Sequence, residues 1–190
     1  MKTIWKAIKL IPLLILWLLL SIFLWGFVFN LITDAPPAQK ITLCVDAETP
    51  GATQLAVLLE EKLAGSVRMV KVRPFSYAMF DSGTLTGADL FIVPASNVET
   101  YMDWFAPAPK DLLSENGMLA IDGIPYGIPA YDAAAGTGIA ADCIQYVAQD
   151  QEAEDYYLFF GKQSVHLSVN ENAVDNAAAA TAQYLLDLYK

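Results

Sequence analysis

The chain holds a single histidine and two cysteines, so few of its residues could do covalent or acid–base chemistry. His166 lies in "SVHLSV", where Val165, Leu167 and Val169 alternate with Ser164, His166 and Ser168. A period of two predicts a strand with one apolar and one polar face, and puts His166 on the polar, partly exposed side. Nucleophilic catalysis needs a base beside a serine, threonine or cysteine. A histidine-based triad could use only His166 here, and no G-x-S-x-G elbow is present. The expectation is a protein that is not an enzyme and has no catalytic residue. A pair of carboxylates stays open as an alternative, because distances in the fold cannot be read from the sequence.

Other motifs resolve the same way. Gly136-Thr-Gly138-Ile-Ala-Ala141 matches the glycine spacing of a dinucleotide fingerprint. The "YDAAA" before it is no buried strand, so no nicotinamide cofactor is expected. "DQEAED", Asp150–Asp155, groups carboxylates without the alternating ligands and mid-loop glycine of a calcium loop, and reads as a solvated acidic bend. No metal-ligand spacing occurs, so neither metal nor cofactor is expected. Cys44 and Cys143 each sit among apolar residues, in "ITLCV" and "ADCIQYV", where a buried thiol is ordinary. Outside the cytoplasm they could also pair.

The elements that would position any site begin after a long apolar run. From Leu10 to Thr33 there is no charged residue, and a helix of about 20 residues spans the ~30 Å hydrocarbon core. A secretory signal has a shorter apolar region of roughly 7–15 residues, and here Pro36 and Pro37 follow Ala35, the one small-residue exit. A lipoprotein anchor would need a small residue before its cysteine, but Leu43 precedes Cys44. The reading is an uncleaved anchor over residues 10–33, a cytoplasmic N-terminus over 1–9, a linker over 34–40 and an extracytoplasmic domain over 41–190. Lys2, Lys6 and Lys9 on the short side set the orientation. The location is the cell membrane, crossed once.

Beyond residue 40 the chain carries 7 Lys+Arg against 20 Asp+Glu, a formal charge of −13. Such a surface repels phosphate backbones, so no nucleic acid is expected as a partner. Along this domain "ITLCVDA" is an apolar strand, and Leu55, Leu58, Leu59 and Leu63 make one face of a helix that Gly65 stops. "VRMVKVRPF" is a half-exposed strand. Leu90–Val93 is a strand buried on both faces. "SNVETYMDWF" reads as a helix capped by Ser96. Strands separated by helices imply parallel pairing and an α/β sheet. "YYLFF" and "SVHLSV" flank Gly161-Lys162 as a hairpin. A last helix runs from about Ala173 to Leu188, with Val174, Ala177, Ala178, Thr181, Tyr184, Leu185 and Leu188 on one stripe and Asn172 as its cap. In an open α/β sheet, ligands bind beyond the carboxyl ends of the strands. The loops at Asp46–Thr53 and Pro94–Asn97 qualify, and "GIPAYDAAAG" adds an aromatic face at Tyr131 and an acceptor at Asp132. The competing reading is that these are ordinary turns.

The phrases "ITLCVDAETPGATQLAVLLEEKL", "GADLFIVPASNVETYMDWFAPAPKDLL" and, most specific, "DGIPYGIPAYDAA" resemble the extracellular solute-binding proteins of bacterial ABC uptake systems, the maltose-binding-like group. "YYLFFGKQSVHLSVNENAVDNAAAATAQYLL" is similar to a hairpin and helix of such a receptor, and the likeness covers most of residues 41–188. Members have two lobes that close on a solute and are lipoproteins or freely secreted. This chain has room for about one lobe and carries a membrane anchor. The resemblance implies a three-layer α/β/α lobe with a mostly parallel mixed sheet. It also implies solute contacts near Asp46, Thr49, Ser96, Asn97, Tyr131 and Asp132. The function expected is binding of a small polar solute for an ABC-type uptake system, with the transporter's membrane subunits or another envelope protein as partners. The alternative is a non-catalytic interaction module whose single lobe docks onto a transporter or another envelope protein.

Overall fold

The computed structural model describes residues 2–47, 49–50, 52–75, 82–112, 118–139, 144–145 and 153–188. They form two compact units, residues 1–36 and 37–190. The first unit is one helix, α1 (Lys2–Thr33), which starts earlier than the apolar run and holds Pro12 in its interior. Its Ile11–Phe29 stretch has a mean hydropathy of 2.5 and none of it is buried. That stretch is long and apolar enough to cross a membrane.

The second unit is a mixed α/β domain. Its elements in chain order are β1 (Lys40–Val45), β2 (Thr49–Pro50), α2 (Ala52–Lys62), β3 (Met69–Pro74), α3 (Ser82–Thr86), β4 (Leu90–Pro94), α4 (Val98–Tyr101), β5 (Phe105–Ala106), β6 (Leu119–Ile121), β7 (Ile124–Tyr131), β8 (Ile144–Gln145), β9 (Tyr156–Gly161) and α5 (Ala177–Leu188). Seven strands make one sheet in the order β3-β1-β4-β9-β7-β6, with β5 also paired to β9. β2 and β8 form a separate antiparallel pair.

Parallel pairing is confined to β3-β1-β4. The other pairings, β4–β9, β5–β9, β6–β7 and β7–β9, are antiparallel, against the expectation of a mostly parallel sheet. The connections explain this. Helices carry the chain from β1 to β3 and on to β4. β6 and β7, by contrast, are joined by the two residues Asp122-Gly123, both at positive φ (52° and 79°). A tight turn of that kind forces antiparallel neighbours.

Strand alternation splits the core in two. Leu90 and Ile92 of β4 join Leu158 and Phe160 of β9 on one face, beneath Leu55, Leu59 and Leu63 of the α2 region and Ala178, Ala182 and Leu185 of α5. Phe91 and Val93 join Phe159 on the other face, with Leu85 of α3, Val98 of α4, Phe75 and Phe105. Phe105 and Phe159 stack at 4.1 Å between centroids. Each such buried side chain contributes on the order of 1.5–3 kcal/mol. Leu58, assigned from the sequence to the apolar face of α2, is 46% exposed.

"SVHLSV" is not a strand. Residues 162–176 form successive turns, Ser164 and His166 are buried, and Val169 is 60% exposed. The cause is sheet occupancy: β9 already has β4 on one side and β7 with β5 on the other, so a returning strand has no free edge. The last helix begins at Ala177, four residues later than expected. Its cap is Asp175, whose Oδ1 accepts the Ala177 N–H at 2.9 Å, rather than Asn172. Ser96 likewise does not cap: residues 95–97 are a 3-10 turn, and Asn97 precedes α4 without a side-chain cap bond. Cys44 is a buried free thiol, and burial pushes it up to about 12. Cys143 lies outside the described residues, so its pairing does too.

Candidate functional site

The chain leaves β1 for β3 on one side and later returns to β4 on the other. Between the carboxyl ends of β1 and β4 the connections therefore diverge, which is where an open α/β sheet leaves a crevice. Asp46 and Asn97, one from each loop, meet there. The Asp46 N–H donates to the Ile92 carbonyl at 2.8 Å, fixing the residue directly after β1. Asn97 Nδ2 donates to Asp46 Oδ2 at 2.8 Å. Burial raises the Asp46 pKa; the Asn97 hydrogen bond works against that, and the nearby charge of Glu154 adds to it.

The sheet register brings the remaining loops to the same end, because Pro94 of β4 and Tyr131 of β7 both lie opposite Tyr156 of β9. The Ser96 N–H donates to Glu154 Oε2 at 3.1 Å, and the Ala95 N–H to the Asp155 carbonyl at 2.8 Å. Asp155 Oδ1 in turn accepts the Ala133 N–H at 2.9 Å. Tyr131 packs edge-on against Tyr156 with 6.4 Å between centroids. Asp132 Oδ1 accepts the N–H groups of Ala134 and Ala135 at 2.9 and 3.0 Å, so that oxygen organises its own turn rather than facing a ligand. Thr49 lies on β2 opposite Gln145.

Of the six residues, Asp46 and Asn97 are thus in direct contact. Ser96 and the Tyr131–Asp132 loop are tied to each other through Glu154 and Asp155. Sequence reasoning missed those two carboxylates. Both belong to the "DQEAED" run, read as a solvated bend; Asp155 is exposed and Glu154 half-buried, and their side chains also accept backbone N–H groups of the β4 and β7 loops. The result is a cluster of acidic side chains around the carboxyl ends of β1 and β4. It suits a solute that brings hydrogen-bond donors or positive charge. Among the described residues no group of His, Cys, Asp and Glu has the arrangement to hold a metal ion.

A second polar cluster occupies the opposite end of the sheet. Asp89, 3% exposed, accepts the Thr42 N–H at 2.8 Å through Oδ2 and the Ser164 hydroxyl at 2.6 Å through Oδ1. Burial raises its pKa, while the bonds from Ser164 and Thr42 and the charge of His166 oppose the rise. Ser164 Oγ accepts the His166 backbone N–H at 3.0 Å. The His166 ring faces elsewhere: Nδ1 is 2.7 Å from Asp175 Oδ1 and Nε2 is 2.8 Å from the Pro37 carbonyl. Ser, His and Asp are all present, but neither ring nitrogen is bonded to the Ser164 hydroxyl, so the trio lacks the bond by which a base activates a serine.

A groove of about 640 Å3 lies by β5 and the residues after β9, lined by Phe105, Pro107, Tyr126, Lys162 and Val169 among others. None of the six expected contact residues lines it.

No protein-family model matches the chain, and no curated protein matches it.

Proposed function

We propose that the protein is a membrane-anchored, extracytoplasmic module that binds a small polar solute at the carboxyl ends of β1 and β4, in the service of an ABC-type uptake system. The observation that carries this reading is the Asp46–Asn97 hydrogen bond, which joins the two loops at the point where the strand connections diverge. Helices α2 and α5 over one core cluster, with α3 and α4 over the other, support a three-layer lobe of the kind the solute-binding resemblance implies. The apolar stretch in α1 supports the anchor, and Lys2, Lys6 and Lys9 support a cytoplasmic N-terminus. The acidic cluster favours solutes with ammonium or several donor groups, such as amino acids, short peptides or polyamines, over anions.

The test is a set of thermal melts of the full chain in detergent against sugars, amino acids, short peptides and polyamines. A solute at about 100 times its dissociation constant stabilises by about 2.7 kcal/mol, a rise of several degrees in a domain of this size. A selective shift supports a solute receptor. A flat panel from well-folded protein rejects it and favours the protein-docking alternative.

A further inference from the structure

His166 is fully buried, and both of its ring nitrogens face oxygen acceptors, at 2.7 Å from Asp175 Oδ1 and 2.8 Å from the Pro37 carbonyl. A neutral imidazole has one N–H and one lone pair, so it can satisfy only one of these partners. Only the imidazolium donates to both. The carbonyl oxygen of Pro37 cannot donate at all, and Asp175 Oδ1 already accepts the Ala177 N–H at 2.9 Å, as a carboxylate does.

The charges around the ring agree, Asp175 by direct contact and Asp89 by its field alone. Asp175 approaches from the start of α5, and Asp89 from the loop before β4, linked through Ser164 Oγ to the His166 backbone. Burial pulls the imidazole pKa down, but the hydrogen bonds to Asp175 and Pro37 and the charges of Asp89 and Asp175 outweigh it, and the net direction is up. Both of these charges are acidic.

We propose that His166 is a proton-operated latch: as imidazolium it fastens Pro37, the first residue of the second compact unit, to the start of α5, and when it loses its proton it lets Pro37 go. The remaining proton stays on Nδ1, where the bond to a carboxylate is the stronger. Nε2 then presents a lone pair to the Pro37 carbonyl, and the two repel. Pro37 lies in the linker between α1 and β1, so the latch sets how firmly the linker is held where it enters the domain. This inference is independent of any solute.

Because the chain has one histidine, labelling histidine with nitrogen-15 in the full chain in detergent micelles gives ring signals from His166 alone. Both nitrogens should be protonated at neutral pH, with a midpoint above the usual histidine value of about 6.5. Amide exchange at Ala38, Gln39 and Lys40, the N–H groups that follow Pro37, normalised to an unfolded peptide at each pH, should accelerate through the same midpoint. Asp175→Asn, which keeps an oxygen to cap α5, should lower the midpoint by about 1 pH unit or more. His166→Gln, which can still donate to Pro37 but cannot titrate, should make the normalised exchange independent of pH. A neutral ring at neutral pH, a midpoint unmoved by Asp175→Asn, or linker exchange that ignores the titration would each overturn the proposal.

Discussion

Alanine at position 166 removes a fully buried ring from between Asp175 and Pro37. Three losses combine. The charge-assisted bond to Asp175 would be worth about 1.5–3 kcal/mol in a buried setting. The Asp175 side chain is 35% exposed, so water recovers part of it and the lower figure applies. The bond to Pro37 adds about 1 kcal/mol, and the void left by the ring adds on the order of another. The sum is about 3.5 kcal/mol, which in a domain of this size lowers Tm by roughly 7–14 °C. A half-exposed strand position would instead cost under about 1 kcal/mol. Thermal melts of the full-length wild type and His166→Ala, followed by near-ultraviolet circular dichroism and by urea midpoints, separate the two cases. A fall of less than about 2 °C, with matching urea midpoints, would show that the ring is not held between these partners.

Three other outcomes follow from the core and its charges. Leu90→Asp places an unpaired charge in a fully buried strand and should abolish folding; a soluble mutant with a cooperative melt would show that β4 is not central. Gly161→Ala puts a Cβ into the carbonyl of Ala88, a backbone atom that cannot swing aside, so the loss should reach the top of the ~1–3 kcal/mol range for overpacking; an unchanged urea midpoint would contradict that contact. Stability should decline as pH rises: the raised His166 contributes fully below about pH 6.5 and loses its contribution as pH climbs through its folded value, and the raised Asp89 acts in the same direction from about pH 4 upward. Urea midpoints that rise between about pH 6 and 9 would reverse that sign.

The parts of this fold that were legible in the sequence are those set by local pattern. Leu90–Val93 reads as a strand buried on both faces because four apolar residues leave no polar face, and the structure buries all four. Leu55, Leu59 and Leu63 recur at helical spacing and all reach the core. The loops after β1 and β4 were picked out by a rule about strand ends, which needs only the order of elements, and the structure brings Asp46 and Asn97 of those loops into contact. What failed depended on distant partners. The alternation around His166 is real, yet β9 had no edge left for a strand. The groups that draw Ser164 and His166 inward are Asp89, 75 residues from Ser164, and Pro37, 129 residues from His166. Nothing within "SVHLSV" announces them. The contacts of Glu154 and Asp155 were not foreseen for the same reason: their partners are backbone N–H groups of other loops, which leave no mark in side-chain pattern.

The central claim is a solute site where Asp46 and Asn97 meet, and isothermal titration tests it most directly. The solute that gives the largest melt shift would be titrated into the wild type, Asp46→Ala and Asn97→Ala, each in full-length form. Loss of a hydrogen bond to a charged group costs about 1.5–3 kcal/mol, so each substitution should weaken binding by roughly tenfold or more while the protein stays folded. Binding that survives both substitutions unchanged would place the solute elsewhere and contradict the account.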